Sequence, residues 1–150
     1  MSAERTLVIA KPDAVGKAVV GKVVDRFESA GLRLMGLRMV RLGGDAAERF
    51  YAEHQGKPFF KPLLGFMTSG PVVPMVWEGE GAVAKVRSLV GATNSPEAAV
   101  GTLRKTWGTD NRRNLVHASD SPASAAREIA FFFDASDLVP YDPDAWKAGA

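Results

Sequence analysis

Thr6-Leu7-Val8-Ile9-Ala10-Lys11-Pro12-Asp13 is the stretch from which the rest of the chain is read. A short run rich in apolar and β-branched residues stops at a lysine and a proline, which is the pattern of a buried strand running into a loop. Asp13 predicts the cap of a helix whose stripe is Val15, Val19, Val20, Val23, Val24 and Phe27, with Gly31 as its stop. Further out, Leu34 to Leu42 alternates imperfectly between apolar and basic residues, as a half-exposed strand does.

Asp45-Ala46-Ala47-Glu48 has capping-box spacing and predicts a short helix through His54, and Lys57 to Pro62 starts a second short helix or turn. Val72 to Trp77 reads as a strand, followed by a helix whose apolar face is Val83, Val86, Leu89 and Val90, with Arg87 pointing away from it. Residues 91–113 lack either period and read as one long irregular loop. Leu115-Val116-His117 forms a last short strand, and Ser121-Pro122 supplies the cap and first-turn proline of a helix through Phe133. The tail from Leu138, with Pro140, Pro143 and Trp146, is expected to lie irregularly on a neighbouring surface. This order, β α β (αα) β α β α, predicts an α/β (α+β) sandwich with one sheet face covered. Its core is ferredoxin-like, β-α-β-β-α-β, with a four-stranded antiparallel sheet and added helices.

At 150 residues, with 46% apolar and 24% charged residues, the chain is expected to form a single globular domain over 1–150. It has no cysteine, which removes disulfides, thiolate metal sites and thiol nucleophiles. Met1-Ser2-Ala3-Glu4-Arg5 precede only four apolar residues, too few for a signal peptide, and no apolar run is long enough for a membrane span. A soluble, cytoplasmic protein without membrane contact is expected. The net charge of +2 is unevenly spread: residues 85–113 hold six basic and two acidic side chains, and residues 114–150 hold two basic and six acidic. A basic middle segment suits a phosphate-bearing ligand.

Two phosphate motifs mislead. Gly16 to Val23 has P-loop spacing, but Val23 stands where a hydroxyl must meet Mg²⁺. Gly79-Glu80-Gly81 follows a strand and opens a helix like a dinucleotide fingerprint, but no second apolar strand completes a βαβ unit, so a tight turn and helix start is the better reading.

The chain has two histidines. His54, near the end of a short polar helix, fits a solvated or C-terminal capping role. His117 ends a strand inside a polar cluster that follows the arginine-rich segment. A neutral imidazole can attack phosphorus without a separate base, and phosphoryl transfer otherwise needs positioning and cations. Lys11, Arg87 and Arg104 are candidates for those cations.

Lys11-Pro12-Asp13, Tyr51, Phe59, Arg87, Gly91-Ala92-Thr93-Asn94, Gly101-Thr102-Leu103-Arg104 and Asn114-Leu115-Val116-His117-Ala118-Ser119-Asp120-Ser121 resemble the nucleoside diphosphate kinases, in order and over about Glu4 to Phe133. The resemblance implies a ping-pong exchange in which His117 takes the γ-phosphate of ATP through Nδ1 and passes it to a nucleoside diphosphate. It implies that Lys11 contacts phosphate and sugar, that Arg87, Thr93 and Arg104 hold the phosphates, and that Asn114 bonds the ribose 3′ hydroxyl. Phe59 would stack on the base, Tyr51 would lie near the transferred phosphate, and Glu128 would orient His117 or Ser119. No protein metal site is implied: Mg²⁺ would ride on the nucleotide phosphates, with Asp120 reaching it through water. A homo-oligomer, either a hexamer or a tetramer of dimers, is implied as well.

Four departures from the family pattern stand out, one being Arg104-Lys105-Thr106-Trp107-Gly108, which loses an acidic partner and adds a lysine. Ala118 replaces a glycine, with strain expected if that backbone needs positive φ. Asn111 replaces an apolar residue facing the base, and Val100 replaces a loop proline. A nucleic-acid-binding module on the same scaffold is the rival reading, but the chain lacks the aromatic and basic signature of the common RNA-binding sheet.

Overall fold

The structure is a computed structural model and describes residues 3–149. The reading of Met1 and Ser2, and the expected domain ends at residues 1 and 150, lie outside the described residues. Strand β1, Glu4–Ala10, is central. Along its whole length it pairs antiparallel with β3, Val73–Gly79, and on its other edge it pairs antiparallel with β4, Val116–Ala118. β2, Arg33–Leu37, completes an antiparallel sheet in the order β2-β3-β1-β4, the ferredoxin-like arrangement expected. The register sets Ile9 opposite His117, and the Lys11 N–H bonds the Leu115 carbonyl at 2.9 Å. The end of the first strand is thereby fixed beside the histidine strand.

Both faces of the sheet are covered, not one. Val8 and Ala10 join a core with Val23 and Phe27 of α2, Val20–Ser29, and Ala82, Val86 and Val90 of α5, Ala82–Val90. Leu7 and Ile9 face the other way, into a core with Phe50 of α3, Gly44–Phe50, Met67 of α4, Phe60–Met67, and Phe132 of α7, Pro122–Phe132. The continuous apolar run of β1 already carried this information, because a strand with only one buried face would alternate with polar residues. Trp77, fully buried, meets Phe27 edge-on with centroids 5.3 Å apart.

Several local expectations are corrected. The helix expected from Val15 to Gly31 is two: α1, Pro12–Gly16, and α2, separated by a turn in which Ala18 takes φ 60°. Gly16, Lys17 and Ala18 offer no large apolar side chain to bury, so nothing holds that stretch helical. Asp13 caps nothing; its Oδ2 accepts the Leu115 N–H at 3.0 Å. The capping box at Asp45–Glu48 does not form, because α3 starts at Gly44 with Gly43 as N-cap, which leaves Asp45 in the first turn. That helix ends at Phe50, and a 3-10 turn, Ala52–His54, follows. The segment from Lys57 grows into a full helix, α4.

Residues 91–113 are not one loop. They hold a 3-10 turn, Ser95–Glu97, and α6, Leu103–Trp107, capped by Thr102. Gly91, at φ 92°, ends α5 where a β-carbon would lie 2.6 Å from Thr102 Oγ1, so a side chain there would clash as well as strain. The helix after His117 forms as expected, with Ser121 and Ser124 in a reciprocal cap and Pro122 in the first turn. In the tail, Val139 N–H bonds Met35 O and Leu138 packs on the second core, whereas Tyr141 and Trp146 are exposed.

Neither misleading motif cradles phosphate. Lys17 Nζ donates to Trp107 O and Thr109 Oγ1, and the N-terminus of α5 is occupied by Glu4, whose Oε1 accepts the Val83 N–H at 2.8 Å.

Candidate active site

The ends of β1 and β4, the 3-10 turn after α3, and helices α5, α6 and α7 surround an open cavity of about 470 Å³. Lys11, Tyr51, Phe59, Arg87, Thr93, Arg104, Asn114, His117 and Glu128 all line it. Ser119 does not line it; it is buried beneath, bonded to Glu128.

His117 Nε2 lies 2.7 Å from Glu128 Oε1, and the Ser119 hydroxyl donates to the same oxygen at 2.7 Å. Burial alone would push the Glu128 carboxyl up. The hydrogen bond and charge of His117, the Ser119 hydroxyl and the charge of Arg127 outweigh burial and hold it below the usual glutamate value. A carboxylate has no proton to give, so Nε2–H must be the donor, and in the neutral ring Nδ1 keeps its lone pair. The described residues place no hydrogen-bond partner on Nδ1. Phe50 and Tyr51 meet the ring edge-on at 5.4 and 6.1 Å, which restricts its tilt. The Tyr51 hydroxyl is buried without a partner among the described residues, and burial first, then the charge of Glu128, raises its pKa.

Cations converge opposite. Lys11 Nζ, buried at the end of β1, donates to Asn114 Oδ1 at 2.8 Å and more weakly to Arg112 O. Arg104 donates Nε to Asn114 O at 3.1 Å, Nη1 to Gly91 O at 3.0 Å and Nη2 to Val116 O at 2.8 Å. Arg87, exposed on α5 as expected, donates to Ala118 O at 3.1 Å. Asn114 Nδ2 donates to Thr93 O at 2.9 Å, which ties the two loops together. Leu115, two residues before the histidine, is buried at φ 79° and is fixed there by Asp13. A positive φ in a leucine is strain stored beside the candidate nucleophile. Ala118 carries none: it sits in β4 paired with Val8, so the strain expected there is absent.

Burial, then the neighbouring charge of Arg104, lowers the Lys11 pKa to about 8, with Asp13 and Asp110 pulling the other way. An anion in the cavity favours the charged form. Binding of a nucleoside diphosphate near pH 8 is therefore expected to take up protons, and affinity should fall as pH rises through that value. Calorimetric titration with ADP in two buffers of different ionisation enthalpy measures the uptake; equal heats in both would contradict it.

Sequence reasoning missed His54. Its ring stacks on Tyr51 and lies 5.2 Å from Phe59, lining the cavity rather than capping a helix or standing in solvent. Its spacing of three from Tyr51 was the available signal. Glu53, Leu63, Asn111, Arg112 and Asp120 also line the cavity. Among the described residues no three His, Cys, Asp or Glu side chains gather as a cation cage, and no helix is long and apolar enough to cross a membrane.

Residues 4–138 match the profile of the family described as nucleoside diphosphate kinase. A nucleoside diphosphate kinase of Pelotomaculum thermopropionicum is 52% identical over 145 residues, covering 95% of this chain and 97% of the relative. One from Carboxydothermus hydrogenoformans is 50% identical with the same coverage. Among solved structures, a halophilic nucleoside diphosphate kinase from Halobacterium salinarum in complex with CDP superposes with TM-score 0.93 at 46% identity, covering 97% of each chain. The Aquifex aeolicus nucleoside diphosphate kinase superposes with TM-score 0.89 at 45% identity, covering 92% of this chain and all of the other.

Proposed function

Because the chain belongs to the nucleoside diphosphate kinase family, and with it is a phosphotransferase that moves the γ-phosphate between nucleotides by a ping-pong route through a phosphohistidine, we propose that His117 is the residue phosphorylated and that residues 1–150 act as one domain. The observation that carries this is the bond from His117 Nε2 to Glu128, which leaves Nδ1 as the nucleophile in a cavity lined by three buried or converging cations.

In the first half-reaction the Nδ1 lone pair forms the bond to γ-phosphorus, the bond from γ-phosphorus to the β,γ-bridging oxygen breaks, and the diphosphate leaves with that electron pair. In the second, a terminal β-phosphate oxygen of an incoming diphosphate attacks the same phosphorus and the N–P bond breaks. Lys11, Arg87, Arg104 and Thr93 bind the phosphate oxygens and offset the charge of the transferred group. Lys11 and Asn114 take the ribose. Phe59, 44% exposed at the mouth, offers a ring face to the base, a contact that any base can make. Tyr51 closes one side of the histidine, and Ser119 and Glu128 hold its ring. Mg²⁺ accompanies the nucleotide on its phosphates and lowers their charge. Asp120, on the cavity wall with one oxygen bonded to Ser124, is the carboxylate that would help hold such an ion through water. We assign the chain to the cytoplasm as a homo-oligomer, hexamer or tetramer of dimers, with nucleotides rather than membranes or nucleic acid as partners.

Incubation with γ-labelled ATP and no acceptor is expected to leave acid-labile label on the chain, and added nucleoside diphosphate should remove it. No label, or label that survives acid, would overturn the reading.

A further inference from the structure

Three carboxylates, Glu53, Asp120 and Glu128, line a cavity otherwise suited to polyphosphate, and one side chain answers two of them, Glu53 and Glu128. Arg127 Nη2 lies 3.6 Å from Glu53 Oε1 and 3.5 Å from Glu128 Oε2. The two ends differ in setting. Glu53 belongs to the 3-10 turn that also carries His54, beside Phe59, whereas Glu128 is buried on α7 beneath His117. On Glu128, Oε1 is taken by His117 and Ser119, and Arg127 is the partner that Oε2 has among the described residues. A carboxylate held at one oxygen can still swivel about its last torsion; a cation at ion-pair distance from the second oxygen favours one setting of its plane.

We propose that Arg127 is a positioning residue that bridges Glu53 and Glu128 and so keeps the Glu128 carboxylate turned onto His117 Nε2. The catalytic meaning rests on the reading of His117 as the phosphoryl acceptor, but the bridge itself does not. Around Glu128 the ionisable groups are His117 on β4, Tyr51 at the end of α3, Glu53 in the turn after it, whose Oε1 also lies 3.9 Å from His54 Nε2, and Arg127 on its own helix; Asp120 faces His117, and β1 contributes Leu7, which does not titrate.

Without the guanidinium the carboxylate is free to swivel off Nε2, and the neutral ring loses the acceptor that keeps its proton there. Arg127→Gln is expected to raise the ratio of His117 protonated on Nδ1 to His117 protonated on Nε2 by roughly two- to fivefold, the size expected of a half-exposed ion pair, as read from the two imidazole nitrogen chemical shifts of the neutral ring. The rate of label uptake from ATP should fall with it. Arg127→Lys, which keeps the charge, should restore most of the parent's behaviour, and with two histidines in the chain His54→Gln settles which signal is which. A helix-packing role alone would leave the ratio where it was. An Arg127→Gln ratio equal to the parent's, or an Arg127→Lys variant shifted as far as Arg127→Gln, would overturn the proposal. If the ratio moves while the parent takes up no label, the bridge stands and the assignment of His117 falls; label with an unmoved ratio means the reverse.

Discussion

His117→Ala is expected to lower nucleotide exchange by at least about three orders of magnitude and to abolish covalent labelling, because it removes the only atom that forms a bond to phosphorus. The loss should fall on kcat, since the cations, Asn114 and Phe59, which we propose bind nucleotide, remain. It should also be separable from misfolding. Alanine leaves the buried Glu128 with the Ser119 hydroxyl and Arg127 as partners, at a cost of about 1–3 kcal/mol for the donor lost. His117→Gln restores an N–H that can reach Glu128 without supplying a nucleophile, so it should recover stability and no activity. Steady-state exchange with thermal unfolding on the same samples checks both. Residual exchange above about one per cent of the parent's would point to another phosphate carrier.

Arg104→Ala carries the second large effect, and it is chiefly structural. The guanidinium lies almost entirely inside the protein, and its three hydrogen bonds satisfy carbonyls at the end of α5, before β4 and within β4. Truncation leaves three acceptors without their donor, at roughly 1–3 kcal/mol each before water and relaxation recover part of it. A total of about 3–5 kcal/mol follows, which lowers Tm by roughly 6–20 °C for a chain of this size. Nucleotide affinity should fall as well, because the remaining N–H groups of the planar fork are those left for phosphate. Arg104→Lys keeps a charge but cannot reach three carbonyls, so it should recover part of the binding and little of the stability. Thermal unfolding with ADP titration reads both; an alanine variant within about 2 °C of the parent would contradict the anchoring role.

Central elements were legible because their signals are local. β1 and β3 are apolar runs ended by lysine, proline or glycine, and α7 is announced by Ser121-Pro122. The misses came where tertiary contacts decide. The turn at Lys17–Val19, where Gly16, Lys17 and Ala18 offer no large apolar side chain to hold the helix together, brings Lys17 to Trp107 and Thr109, some ninety residues away. α6 has five residues, too few for a helical period to register in the sequence.

The site divides in the same way. Most of the residues that line the cavity could be named from their order around His117, but what they do with one another could not. Arg104 reads as a free cation in the sequence because its partners are backbone carbonyls, which no residue letter records. His54 reads as a solvated end because its role comes from the rings of Tyr51 and Phe59.

Central to the account is that Glu128 selects the nitrogen of His117 that reacts. Heteronuclear NMR of the chain phosphorylated by ATP, with phosphorus correlated to the labelled imidazole nitrogens, tests this directly. The account predicts phosphorus on Nδ1 of His117; phosphorus on Nε2, or on Ser119 or any other residue, would contradict it.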